Sequence, residues 1–340
     1  MLSTRQNILE TLKKDGNPDR LVDQYENMVF FPADPVAGYA RGKRYKGMEP
    51  IRDKWGTLVV WPEEQIAAMP HVTADDKVVP DICEWKKTAI APDIAGNCSD
   101  PALWEPALEA VSKIDRENNL LMAFMPTGVF EQLHFLMGFE DTLLNFLAEP
   151  EHMMELCEYV GEYRFNYMKL IVDNLKPDIM LTHDDWGSKN SMFMSPATWR
   201  EFIKPQYVKT YKYMNEKGVI VMHHADSFLE PIVEDMVELG IDIWQGALPQ
   251  NDIPGIQKQL GGRMVIMGGI DAAIVDRADA PEEIIRAEVI RALEEYTPGG
   301  NFIPCLTYGA PGSIYENVDA IITDEINRFN RERFNLVKIK

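Results

Sequence analysis

The stretch that decides the fold is Gly218-Val-Ile-Val-Met-His-His-Ala-Asp-Ser-Phe-Leu-Glu-Pro231, followed by Glu238-Leu-Gly-Ile-Asp242. Four apolar residues, Val219–Met222, make a strand too short to be an amphipathic helix. Polar residues then stop it, a helical pattern runs over Ser227–Leu239, and Asp242–Trp244 is the next short apolar run. Strand, polar turn, helix, strand is the unit of a parallel sheet with crossover helices.

The same unit recurs outward in both directions. Apolar runs at Leu120–Phe124, Asp178–Thr182, Met264–Met267 and Phe302–Pro304 read as further strands. Helical patterns occupy Pro196–Lys217, Asp252–Leu260, Pro281–Tyr296 and Ile314–Arg331, with a long helical region Glu140–Asn174 interrupted near Glu149-Pro150. Asp100-Pro101 opens another helix, with Asp as N-cap and Pro in the first turn. That makes six strands between residues 120 and 305. Met28–Phe31 supplies a seventh, and an eighth is expected within residues 1–100, a loop-rich portion with only a short helix at Thr4–Lys13. The expected architecture is a single (β/α)₈ barrel over residues 1–340 with an irregular N-terminal extension. An open doubly wound sheet fits the alternation less well, because no Gly-x-Gly-x-x-Gly turn follows any strand.

Composition narrows the function. The 340 residues carry 34 Lys and Arg against 54 Asp and Glu, a formal charge of −20. Such a surface repels nucleic-acid phosphates and anionic lipid, so neither nucleic acid nor membrane is an expected partner. No apolar stretch reaches bilayer-spanning length, and Met1–Asn7 lacks a secretory signal's apolar core. The four cysteines form neither CxxC nor small-domain disulfide spacing. A reduced cytoplasmic setting is expected.

Barrel enzymes place their chemistry where the strands end. The apolar runs here lead into Met125-Pro-Thr-Gly128, His183-Asp-Asp-Trp186, His223-His-Ala-Asp226, Gln245-Gly246, Gly268-Gly-Ile-Asp271 and Cys305-Leu-Thr-Tyr308. Three of the six histidines fall in these ends. His183, Asp184, Asp185 and His223 are therefore the candidate catalytic residues. His223, Asp226 and Cys305 are the candidate metal ligands. Met125, Trp186, Met192, Trp244, Gln245 and Tyr308 are expected to wall a dry pocket. Asp226 has a second reading as the N-cap of Ser227–Leu239. Neighbours in a strand face opposite sides, so one of His223 and His224 turns away from the cleft.

The stretch Gly218–Pro231 resembles the uroporphyrinogen decarboxylase superfamily. So do Asp184-Asp-Trp-Gly187, Ser195-Pro-Ala-Thr-Trp-Arg-Glu-Phe-Ile-Lys-Pro205, Gly299-Gly-Asn-Phe-Ile-Pro304, Tyr315-Glu-Asn317 and the early Asn17-Pro-Asp-Arg20. The resemblance implies a (β/α)₈ barrel with a deep cleft at the rim. The superfamily divides into two enzymatic branches. The decarboxylases carry an N-terminal Met-Arg-Gln-Ala-Gly-Arg segment that holds substrate carboxylates, whereas this chain reads Tyr25-Glu-Asn-Met-Val-Phe-Phe-Pro32. The other branch comprises corrinoid-dependent methyltransferases, some binding zinc through His-x-Cys and a late Cys. Here His223 takes the His position, Ala225 replaces the Cys, and Cys305 lies two residues before the late position at Thr307.

The resemblance thus implies demethylation of a small methoxylated, aromatic or other methylated donor. The methyl group passes to the cobalt of a corrinoid (cobalamin) on a partner protein, with zinc as a candidate cofactor. Decarboxylation of another acid and a non-catalytic corrinoid- or ligand-binding barrel are the alternatives. Either a metal or a protonated histidine would neutralise the leaving oxygen. On this reading His223→Ala abolishes transfer without disturbing the fold.

Overall fold

The computed structural model describes residues 1–65, 67–308 and 311–334. Among them are ten strands: β1 (Met28–Phe31), β2 (Met48–Arg52), β3 (Leu58–Trp61), β4 (Met69–Pro70), β5 (Leu120–Met125), β6 (Ile179–His183), β7 (Ile220–His224), β8 (Ile243–Ala247), β9 (Val265–Ile270) and β10 (Phe302–Leu306). Seven of them form one parallel sheet in the order β1-β5-β6-β7-β8-β9-β10, and β2, β3 and β4 form a separate antiparallel sheet. The parallel sheet curls into a (β/α)₈-type barrel.

The eighth place is taken by a segment without strand geometry. Between β10 and β1, the Gln24 N–H donates to the Pro304 carbonyl at 3.2 Å. The Gln24 side chain also accepts from the Leu306 N–H at 3.3 Å. Val22 is fully buried among the residues filling the barrel. Asn17–Gln24 is too polar and too short of apolar residues to read as a strand, which is why the sequence does not reveal it.

Two apolar layers set which way each strand residue points. Leu120 and Met122, Ile179 and Leu181, Met222, Ile243, Val265, Met267 and Ile303 fill the barrel. The alternate residues, such as Met125, Met180, Val221, Trp244 and Ile266, pack outward beneath the helices. Each fully buried side chain of this size contributes ~1.5–3 kcal/mol. Because β6 pairs with β7 in the register Thr182↔His223 and His183↔His224, the parity of one strand fixes that of the other.

The helices follow the expected pattern with local departures. Asp100 caps Pro101–Ser112 by accepting from the Ala102 N–H. Gly138 and Pro150 divide the long helical region into Phe139–Ala148 and Pro150–Leu175. A π-turn at Trp199–Ile203 interrupts the next helix and presses Trp199 against Trp186, centroids 4.9 Å apart. The expected helix at Ser227–Leu239 begins only with the turn Glu230–Ile232, so Asp226 is not its N-cap. The N-terminal extension lies on helix Pro150–Leu175, with Trp55 edge-on to Tyr163 at 5.0 Å.

Candidate active site at the barrel rim

Strand β6 ends on His183 and β7 on His224, side by side, with ring centroids 4.5 Å apart. Both belong to the inward-facing set with Leu181 and Met222. His223 faces the other way. It is fully buried, stacks on Trp186 at 4.2 Å, and shares Nδ1 with the Tyr211 hydroxyl (2.7 Å) and the Thr182 hydroxyl (3.1 Å). The expectation that His223 is the cleft histidine is therefore corrected. One residue of strand parity transfers that place to His224, and His223 belongs to the packing between barrel and helices.

Each inward histidine is held from behind. The His183 Nδ1 lies 2.9 Å from Glu131 Oε1, while Glu131 Oε2 accepts from the Gly128 N–H at 2.7 Å. His224 Nδ1 lies 2.6 Å from Gln245 Oε1, and the Gln245 amide donates to the Tyr308 carbonyl at 2.6 Å. Since Gln245 presents its acceptor, Nδ1 of His224 carries the hydrogen and Nε2 keeps its lone pair. Gly246, at φ +91°, leaves the space this ring needs, because a Cβ there would stand 2.9 Å from it.

The charges follow from these contacts. Burial alone would push Glu131 up, but the His183 charge and hydrogen bond and the Gly128 N–H bring it down to about 2. Burial opposes protonation of His183, but Glu131, then Asp185 and Asp184, raise it to about 9. Burial and then the His183 charge push His224 down to about 3, so it is neutral at pH 7. Asp185 is raised by burial, against the pull of His183, with Asp226 and Glu131 adding to the rise.

Linkage gives this pair a pH window. His183 titrates above its ordinary 6.5, so its share of stability is full below that value and lost as pH rises through about 9. Glu131 titrates below its ordinary 4.5, so its share is full above that value and lost as pH falls through about 2. Both contributions are complete only between pH 4.5 and 6.5. In a Glu131→Gln variant, burial is no longer opposed by that charge. His183 is then expected to titrate at or below its ordinary value, read from the imidazole C–H resonances by NMR. A midpoint still near 9 would contradict the pairing.

The two neighbouring aspartates have different places. Asp185 Oδ1 lies 3.9 Å from His224 Nε2 and accepts from the Asp226 N–H at 3.1 Å. Asp184 is fully buried and turned away from the cleft. It accepts from the Phe130 N–H (3.1 Å), the Glu131 N–H (3.0 Å), the Trp186 indole (2.7 Å) and the Tyr207 hydroxyl (2.6 Å). It thereby ties the first turn of helix Val129–Met137 to β6. Gly128 is required here, since a Cβ would collide with Asp184 at 1.9 Å. Asp184 is thus a positioning residue for Glu131, not a group in the cleft.

The expected metal set His223, Asp226 and Cys305 is not assembled. His223 faces outward, and Cys305 sits inside the barrel with its sulfur 3.8 Å from Gln24 Oε1. Burial, and then Asp23, push the Cys305 thiol well above its ordinary range. Asp226 stands beside Asp185, its carboxyl raised by burial to about 6. Among the described residues, the group at the rim able to hold a metal is the half-buried His183 and Asp185 with the buried His224, their ligand atoms within 4.8 Å of one another.

The expected pocket wall is corrected in the same way. Met125, Trp186 and Trp244 face the helical layer, and Trp244 donates its indole N–H to the Ala225 carbonyl at 2.9 Å. Met192 is bridged to Gly187 in a loop and packs on that outer layer. Gln245 does reach the site, by holding His224, and Tyr308 flanks it through its carbonyl. A groove of about 500 Å³ runs alongside Glu131 and Asp185, walled by Met69, His134, Phe135, Phe139 and Phe193. None of these is legible in the sequence as pocket-forming, because β4 and the helix bearing His134 reach the rim only through the tertiary fold. Glu131 escapes sequence reasoning because a Glu three residues after Gly128 reads as an ordinary helix-capping residue.

A curled parallel barrel whose inward histidines and carboxylate meet at the strand ends is the architecture of a (β/α)₈ barrel enzyme. The uroporphyrinogen decarboxylase (URO-D) family model matches residues 93–328, and the chain belongs to that family. Uroporphyrinogen decarboxylases of two Thermus thermophilus strains are each 30% identical to it over 146 residues, or 43% of this chain. The alignment spans only 40% of their own length. A methyltransferase from Methanosarcina mazei has the same fold, with a TM-score of 0.67 over 97% of this chain and 99% of that one, at 15% identity. Among the described residues no helix is long and apolar enough to cross a membrane.

Proposed function

We propose that the chain is a methyltransferase that takes a methyl group from a small methoxylated, aromatic donor. The acceptor is the Co(I) of a corrinoid carried by a separate protein. The observation that carries this reading is the rim trio His183, Asp185 and His224, with Glu131 behind one imidazole and Gln245 behind the other.

In the transfer, the Co(I) electron pair forms the new cobalt–methyl bond while the methyl–oxygen bond breaks, leaving an aryloxide. The difficulty lies with that leaving oxygen, because Co(I) is already a strong nucleophile. His183, charged at neutral pH and fixed through Nδ1 by Glu131, has its other nitrogen to give the oxygen a proton. Asp185 and the Glu131 carboxylate keep that charge favourable. The aromatic walls of the groove, Phe135, Phe139 and Phe193, suit a planar ring. Met69 and Phe139 are exposed at its edge, apolar surface that a corrin ring could cover.

The donor set also fits zinc. His224 offers a free Nε2, Asp185 a carboxylate oxygen, and His183 is backed by a carboxylate in the manner of zinc-ligating histidines. Zinc held there would supply a Lewis acid for the leaving oxygen in place of the proton from His183. Ligation requires His183 in its neutral form, so uptake should release a proton. The expected result is about one zinc per chain with transfer lost on chelation and restored by Zn²⁺. Unchanged transfer by metal-free protein would leave His183 as the sole source of leaving-group assistance.

Decarboxylation of another acid, the activity that the matched relatives' name carries, is the second reading. Among the described residues, no arginine lines the groove beside the trio to hold a carboxylate, which disfavours it there. Release of CO₂ in place of methyl transfer would select it.

A further inference from the structure

Behind the rim groove lies a second cavity, between the N-terminal extension and helix Pro150–Leu175. Its free volume is about 40 Å³, room for a few waters or one carboxylate-sized group. It shares Pro70 and Phe135 with the rim groove as common wall. Neither the rim chemistry nor the packing of the barrel explains its lining.

That lining is cationic. Arg41, Arg44 and Arg164 border the cavity, and among the described residues Asp53 is the one acidic residue on its lining. Asp53 faces Arg44 at 3.6 Å, and among the described residues neither Arg41 nor Arg164 has a carboxylate partner. Arg164 is only 4% exposed. One of its terminal nitrogens donates to the Pro126 carbonyl at 3.3 Å, and its guanidinium lies over the Tyr207 ring at 5.6 Å. Its other terminal nitrogen, Nη2, is buried without a partner, as are Nε of Arg41 and the amide nitrogen of Gln132. Gln132 is itself 7% exposed and borders the same cavity.

A buried guanidinium with no carboxylate, as at Arg164, is destabilising unless an anion joins it, and the half-buried Arg41 and Arg44 add to the positive charge beside it. Three separate elements bring unfilled donors to one space: helix Pro35–Arg41, helix Val129–Met137 and helix Pro150–Leu175. Arg44 is pushed down to about 10 by burial and by Arg41, which leaves it charged at neutral pH. Thr127, also on the lining, holds φ at +60°, a backbone region that a β-branched residue rarely occupies.

We propose that this cavity is an oxyanion site, built for a carboxylate or a group of the same charge and size, bound by Arg41, Arg164 and Gln132 with Arg44 at its edge. Planar guanidinium forks match the two oxygens of such a group. The source is either an acid group on an organic ligand or a free inorganic anion. The proposal does not rest on the methyl-transfer reading.

Calorimetric titration of the full chain with benzoate, and separately with inorganic phosphate, tests it at constant ionic strength. Saturable binding of one of them is expected. Tighter binding of benzoate would assign the site to an organic acid, and tighter binding of phosphate to an inorganic anion. Arg164→Met should weaken that binding by at least about tenfold, the loss of one charge-assisted contact. Arg44→Gln, at the cavity edge, serves as a second variant should Arg164→Met fail to fold. His224→Ala should bind the anion as the wild type does. Absence of saturable binding by either anion would overturn the proposal. So would binding unchanged in the folded arginine variants, or binding lost in His224→Ala, which would place the anion at the rim.

Discussion

A His224→Ala protein is expected to fold and, with one of the three groups able to hold zinc removed, to lose zinc-supported methyl transfer by about 10³-fold or more. The imidazole is buried but sits at the end of β7, above the apolar residues that fill the barrel, so its removal leaves that filling in place. It takes with it the one uncharged nitrogen base of the cluster, Nε2, and leaves Gln245 without the ring it orients. The neighbouring His223→Ala change should behave oppositely. It empties a fully buried space stacked on Trp186 and strips partners from Tyr211 and Thr182. A stability loss of roughly 2–4 kcal/mol is expected. Transfer per folded molecule should stay within about tenfold, since a nearby packing defect disturbs the rim geometry only indirectly. Stability from denaturant melts and rates from single-turnover transfer separate the two effects. A folded, inactive His223→Ala protein beside an active His224→Ala protein would reverse the assignment.

Asp184→Ala should be the most destabilising single change near the site. The carboxylate is fully buried and takes four donors: two backbone N–H groups of helix Val129–Met137, the Trp186 indole and the Tyr207 hydroxyl. Alanine leaves all four unfilled and no room for bulk water. The expected cost is ~3–5 kcal/mol, which for a chain of this length lowers Tm by roughly 4–7 °C. Burial, and then Glu131, raise the carboxyl to about 6, while the hydrogen bond from Tyr207 opposes the rise. Asp184→Asn keeps the shape but presents an N–H₂ group to a site made of donors, so it should lose most of the same stability. Both variants also free the turn that carries Glu131, and His183 should titrate lower as a result. Loss of stability with an unaltered His183 titration would mean that Asp184 anchors the helix without positioning Glu131.

The alternation of short apolar runs with long helices made the barrel legible, and the polar strand ends marked its working rim. The illegible remainder has physical causes. In a parallel sheet covered on both faces, inward and outward residues are equally apolar, so the hydropathy of Val219–Met222 cannot say which of His223 and His224 faces the cleft. The register with β6 settles it, and register is a tertiary fact. The Asp184-Asp185 pair posed the same problem, and one of them proved to be a buried anchor. Strands also run further than their apolar cores suggest, because His183 and His224 continue the backbone ladder. The eighth barrel position escaped notice because Leu21 and Val22 are a lone apolar pair in an otherwise polar segment, tied to β10 by two hydrogen bonds of Gln24. Ala225, which breaks a thiolate ligand pattern, is itself buried with the outward layer, so the ligands that do assemble come from histidine and aspartate.

The central claim, methyl transfer from a small donor to Co(I), is tested most directly by absorbance. The full chain, loaded with Zn²⁺, is incubated with cob(I)alamin and a panel of methoxyarenes and methylamines. The expected result is conversion of the cob(I)alamin spectrum to that of methylcobalamin with at least one methoxyarene, matched mole for mole by the demethylated phenol. No methylcobalamin with any donor, from folded and zinc-loaded protein, would contradict it.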